Sequence, residues 1–151
     1  MLSFRTASTK SRLGFAVQLC TLRYPGWSLF DVKDIPETVL RYIAKQIDVD
    51  PEVYSLYAQL DPTRREHFEE IRQEYGYRNF SAREYRTSSQ FLLHHAMENG
   101  NPTHLIRIVL DELRKRKIIL PAMTTIERLV WETRHRAEER IFKQLTSSLV
   151  Q

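Results

Sequence analysis

The chain has 151 residues, 42% hydrophobic and 28% charged, enough for one globular domain or two small helical subdomains, with disorder confined to the ends. Its net charge of +4, 23 cations against 19 anions, and its pI near 9.3 favour anionic partners only mildly. A lone Cys20 excludes an internal disulfide and a multi-cysteine zinc site, and no apolar run approaches the roughly 20 residues of a membrane-spanning helix.

Residues 1–11 read as a flexible basic N-terminus, and Met1 to Arg12 lacks the apolar stretch of a signal peptide. Ser11 or Thr9 can cap a first helix to about Arg23, apolar around most of its surface and therefore central; Tyr24-Pro25-Gly26 stops it. Pro36 suits the first position of a second helix, striped by Val39, Leu40, Ile43, Ala44 and Ile47. Asp50-Pro51 pairs an N-cap with a first-turn proline, and Asp61-Pro62 repeats the device for a helix ending at Gly76. Ser81 and Glu84 have capping-box spacing for a fifth helix, with Gly100 as its left-handed stop. Asn101-Pro102 opens a sixth helix, which closes in Arg114-Lys115-Arg116-Lys117. Thr124 and Glu127 form another capping box and open a long last helix. Strand signals are nearly absent, since Lys117 to Leu120 is too short to found a sheet. The expected fold is all-α, about seven helices in a compact bundle. Two helical subdomains, 12–78 and 79–151, would divide it, with a helix-turn-helix-like segment over 103–145.

That last segment carries the most specific chemistry. Cations serve phosphates, and side chains in the first turn of a helix can reach base edges. Thr124, Thr125 and Arg128 project at a helix N-terminus, whose dipole also favours a phosphate. The connection of about six residues is longer than that of a strict helix-turn-helix. Further along, Ile126, Leu129, Val130, Thr133, Ala137 and Ile141 share a core-facing side. Glu132–Arg136 and Glu139–Lys143 stand in favourable i,i+4 order on the other, which suggests a solvated, salt-laced face. The four consecutive cations suit phosphates, though one or two of them would serve the helix dipole alone. Arg64 and Arg65 occupy a helix's first turn, where cations are unfavourable and a phosphate role is open; Glu66, Glu69 and Glu70 are alternative partners. Arg72, Arg78, Arg83 and Arg86 alternate with Tyr75, Tyr77 and Tyr85, either as a second backbone-contacting surface or as rim-of-core packing.

Enzyme signatures are poor. His94, His95 and His104 lack a known metal spacing, the four glycines are isolated, and the acidic residues sit where helix surfaces routinely place them. No catalytic residue, metal ligand or cofactor is assigned, and no small-molecule substrate is expected.

Three segments together resemble a known family. They are Arg12-Leu13-Gly14-Phe15-Ala16-Val17-Gln18-Leu19-Cys20 with Leu22-Arg23-Tyr24-Pro25-Gly26; Thr63-Arg64-Arg65-Glu66-His67 with Ile71-Arg72 and Tyr75-Gly76-Tyr77-Arg78; and Leu113 to Val130. In order and spacing they look like the N-terminal domain of the Tn-three family of replicative transposases. The resemblance implies recognition of the terminal inverted repeats of a mobile element. Cutting and joining would fall to a distant Asp-Asp-Glu catalytic domain, so this chain would be a fragment or truncated copy that is not itself an enzyme. It also implies a bacterial cytoplasmic protein, on the nucleoid when bound to DNA. Position and chemistry then assign Thr124, Thr125 and Arg128 to bases, and Arg64, Arg65, Arg78, Arg114, Lys115, Arg116 and Lys117 to phosphates of double-stranded DNA. The competing reading is a helical interaction or dimerisation module, joining the rest of a transposase or a second copy.

Overall fold

The structure, a computed structural model, describes residues 8–32 and 34–150. These form seven α-helices: α1 (Thr9–Arg23), α2 (Glu37–Gln46), α3 (Tyr54–Ala58), α4 (Asp61–Tyr75), α5 (Ala82–Glu98), α6 (Pro102–Lys115) and α7 (Met123–Val150). A 3₁₀ turn, Pro51–Val53, leads into α3. The fold is all-α. Residues 1–7 of the expected N-terminal arm lie outside the described residues, and the arm's last three residues are already helical in α1.

The chain divides into two compact units, Met1–Arg78 and Asn79–Gln151. In the first, α1 is central and packs on α2, α3 and α4, as its all-round apolar surface requires. Leu13, Val17, Leu29, Ile43, Ala44 and Tyr57 form the core. Gly14 belongs there for a steric reason: a Cβ at this position would run into the Tyr57 ring. Tyr57, fully buried, also needs a partner for its hydroxyl. Gln18 donates to it at 2.7 Å, and His67 Nδ1 lies 2.9 Å away.

Helix punctuation follows the sequence where a side chain acts on its own backbone. Asp50 accepts from the Glu52 N–H at 2.9 Å and Asn101 from the His104 N–H at 3.1 Å. Gly76 closes α4 at φ 72°. Other expectations are corrected. Ser8, not Thr9 or Ser11, precedes α1, and Pro36 lies just outside α2. Leu60 is the N-cap of α4; Asp61 is already helical and pairs with Arg64 at 3.1 Å. Gly100 is no left-handed stop, because α5 ends at Glu98 with Asn99 extended; the Gly100 carbonyl instead accepts from Arg134 Nε at 2.7 Å.

The second unit has three helices, with α5 packed along α7 and α6 against both. Ile126, Leu129, Val130, Thr133 and Ala137 of α7 are buried, as helical phasing requires, and Ile141 is half-buried.

Candidate nucleic-acid interface

The end of α6 sets the positions of the basic cluster. Lys117 adopts φ 53°, and the Ile118 N–H reaches back to the Leu113 carbonyl at 2.9 Å while the Lys117 N–H reaches Arg114 at 3.0 Å. This is a Schellman closure with a lysine where glycine is usual. Ile118, Ile119 and Leu120 then run straight into the core, at 1%, 6% and 1% exposure. The long connection is therefore a buried strap that anchors the start of α7, not a solvent turn.

Successive helical residues point about 100° apart, so four adjacent cations cannot share one face. Arg114 pairs with Asp111 at 3.2 Å. Arg116 reaches across the unit to Glu84 at 3.0 Å, and the Glu84 side chain is only 6% exposed. That contact also overturns the first capping box: Ser81 makes no side-chain cap, and its supposed partner Glu84 is held by Arg116. Lys115 and Lys117 stay exposed, and Lys115 has no ion pair among the described residues.

The second capping box also fails. Helix α7 already begins at Met123, so Thr124 lies inside its first turn, and the Ala122 carbonyl accepts from the Thr125 N–H at 2.9 Å. Thr124 is exposed. Thr125 and Arg128 line an open cleft of about 630 Å³, with Phe80, Ser81, Ala82, Tyr85, Arg86, Pro121 and Glu132. The first turns of α5 and α7 thus meet one cleft, with an arginine from each. Both helix starts bring partial positive charge to it.

Tyr85 organises the cleft's rear. Its hydroxyl donates to Glu132 Oε2 at 2.6 Å, and the Arg128 guanidinium stands over its ring, 5.6 Å from the centroid. Burial first, and then the bond to Glu132, push the phenol's pKa up, so it remains a donor at neutral pH. Glu132 is thus engaged by Tyr85 rather than by Arg136, and Glu139 lies 3.8 Å from His135 rather than on Lys143. The expected i,i+4 ladder is absent, which leaves Arg136, Arg140 and Lys143 exposed without ion pairs among the described residues. Tyr85 and Arg86 were foreshadowed by the tyrosine–arginine alternation; Glu132 as a Tyr85 acceptor was not.

The first unit's candidates differ among themselves. Arg64 is a structural cation: its side chain is 18% exposed, it donates to the Ala58 carbonyl at 3.2 Å and lies 5.0 Å over the Phe30 ring. Arg65 is exposed with no ion pair among the described residues, and Arg78 is exposed. Arg72 pairs with Glu69 at 2.8 Å. His94 lies 3.3 Å from Glu98, and the described residues contain no group of three or more His, Cys, Asp or Glu suited to a metal ion. Burial pushes the Cys20 thiol's pKa up, which keeps it protonated.

Residues 3–133, which include the strap and the cleft, match the family described as "Domain of unknown function (DUF4158)". The chain belongs to that family. It is 49% identical over 140 residues to the "Transposase for transposon Tn1546" of Enterococcus faecium, covering 93% of this chain and 14% of that protein. It is 37% identical over 139 residues to the "Transposase for transposon Tn501" of Pseudomonas aeruginosa, covering 92% and 14%. With the "Transposase for transposon gamma-delta" of Escherichia coli strain K12 the figure is 35% over 140 residues, covering 91% and 14%. These relatives of the DUF4158 chain are Tn-three-family transposases, matched in their N-terminal part. The chain spans about 14% of their length. No helix among the described residues is long and apolar enough to cross a membrane.

Proposed function

We propose that the second unit binds double-stranded DNA, and that it recognises the terminal inverted repeats of a mobile element during transposition. The observation that carries this reading is the cleft in which Thr125 and Arg128 of α7 meet Tyr85 and Arg86 of α5. A groove edge entering it meets two arginines, a threonine hydroxyl and the first turns of two helices. Arginine suits guanine O6 and N7, and threonine a phosphate or a thymine methyl. Lys115 and Lys117 at the end of α6 supply phosphate contacts to the second unit's site; Arg65 and Arg78 are phosphate-contacting candidates within the first unit by itself. Arg64, Arg114 and Arg116 hold the protein together instead.

The transposase relatives support the reading, since a protein that moves a defined element must find its ends. Cutting and joining are assigned to parts of a transposase outside this chain. It would act in the bacterial cytoplasm, on the nucleoid.

The test is gel retardation of a duplex carrying the terminal repeat of transposon Tn1546 beside a scrambled duplex, across a salt series. Tighter, steeply salt-dependent binding to the repeat is expected. Equal, feeble binding to both duplexes at low salt overturns the proposal.

A further inference from the structure

The two halves of α7 turn opposite faces to apolar use. Ile126, Leu129, Val130, Thr133 and Ala137 pack into the second unit. Continued past Ala137, that side of the helix carries half-buried Ile141 at its edge and then Arg140, Gln144 and Ser147, all exposed. The apolar residues move to the opposite side: Trp131 is 64% exposed, Phe142 68%, Leu145 60% and Leu149 85%. With His135 and Glu138 between them, they are spaced 4-3-4-3-4, the seam of a two-helix coiled coil. Trp131 is also stacked on His135, 5.9 Å between ring centroids and 7° between planes, which makes that end of the seam flat.

A helical half that its own unit does not cover is marginal in water, and a seam of aromatic and leucine side chains raises the cost of leaving it open. We propose that this seam is covered by the same seam of a second copy of the chain, running antiparallel. The polar residues choose the direction, and the charges flanking the seam suit a second copy. A parallel pair would set Glu138 against Glu138 and His135 against His135 inside the seam. In the antiparallel pair Glu138 lies beside Phe142 of the second copy, His135 beside Leu145, and Trp131 beside Leu149. Ile141, half-buried in the single chain, then meets its own counterpart near the twofold axis. Lys143, which has no ion pair among the described residues, comes alongside Glu138 and Glu139 of the second copy.

The overlap from Trp131 to Leu149 is about 28 Å long at 1.5 Å per residue. Two helices in contact over that length bury on the order of 1,000 Å², at the lower edge of specific interfaces. A reversible dimer with micromolar affinity is therefore expected.

Sedimentation equilibrium of the whole chain, from about 1 to 500 μM, should show its mass rising from 18.0 kDa toward twice that value. The double variant Phe142→Asp, Leu145→Asp should stay monomeric with unchanged helicity, since both side chains are exposed in the single chain. Lys143→Glu should weaken the dimer about tenfold, and adding Glu139→Lys should restore it. A short bismaleimide should link Ile141→Cys chains to each other and leave Leu149→Cys chains unlinked, with the wild type as control for Cys20. A monomer at every concentration overturns the proposal and would leave the seam to another occupant, such as the remainder of a transposase. A dimer that survives the double variant overturns it as well, and linked Leu149→Cys chains overturn the antiparallel order.

Discussion

Tyr57 concentrates the constraints on the first unit into one side chain. Its ring lies on Gly14, and its hydroxyl sits between Gln18 and His67. Gly14→Ala sets two effects against each other. A helix interior gains up to about 1 kcal/mol from alanine, whereas overpacking a filled core costs about 1–3 kcal/mol. The clash falls on the ring body rather than on a movable chain end, so the loss wins. Urea unfolding should show a net destabilisation of about 1–2 kcal/mol; a gain would mean that the ring can move aside. His67 adds a pH term. Burial is the first cause lowering its pKa from the usual 6.5, and Glu70 and Glu66 oppose the shift. A neutral ring accepts the Tyr57 O–H at Nδ1, and protonation removes that acceptor. With its folded value depressed, the stability His67 contributes is complete above about pH 6.5 and is lost as pH falls toward the folded value. Unfolding curves at pH 7.5 and pH 5 should therefore differ more for the wild type than for His67→Gln; equal differences would remove His67 from the account.

At the scale of elements, the strap and the first turn of α7 explain what the sequence conveyed and what it hid. Punctuation by Asp50 and Asn101 was legible because those side chains act within three residues. The Ser81–Glu84 box had the same local spacing, yet Glu84 binds Arg116, 32 residues away, and no window along the chain reveals that. Four adjacent cations read as one cluster, but the turn of α6 sends two of them into ion pairs. The meeting of Tyr85 and Arg86 with Thr125 and Arg128 depends on how α5 packs along α7, a tertiary fact of the same kind. The proposed interface separates two variants sharply. Arg128→Ala should weaken binding to a terminal repeat by roughly 1–3 kcal/mol and change its base preference. Lys115→Ala should weaken all sequences alike and lower the slope of log K against log salt by about one. Identical behaviour of the two variants in a titration over several duplexes would sink the base-contact assignment.

For the whole molecule, the segments that resembled Tn-three-family transposases lie in both units, Arg12 to Gly26 and Thr63 to Arg78 in the first and Leu113 to Val130 in the second. Family and helical class were legible because they depend on long stretches of residues in order. The outward seam of α7 was not, because attention to the buried side of a helix treats the other side as solvent. Trp131, Phe142, Leu145 and Leu149 carried that signal in plain spacing.

Lys117 closes α6 in a backbone conformation that costs a side-chain-bearing residue on the order of 1 kcal/mol and glycine almost nothing. On the proposed reading, the same residue offers its ammonium group to a phosphate. A glycine there would make the chain more heat-resistant and a poorer ligand for DNA. Durability and grip thus pull against each other at a single backbone position, and selection for thermostable variants would be expected to erode DNA affinity there first.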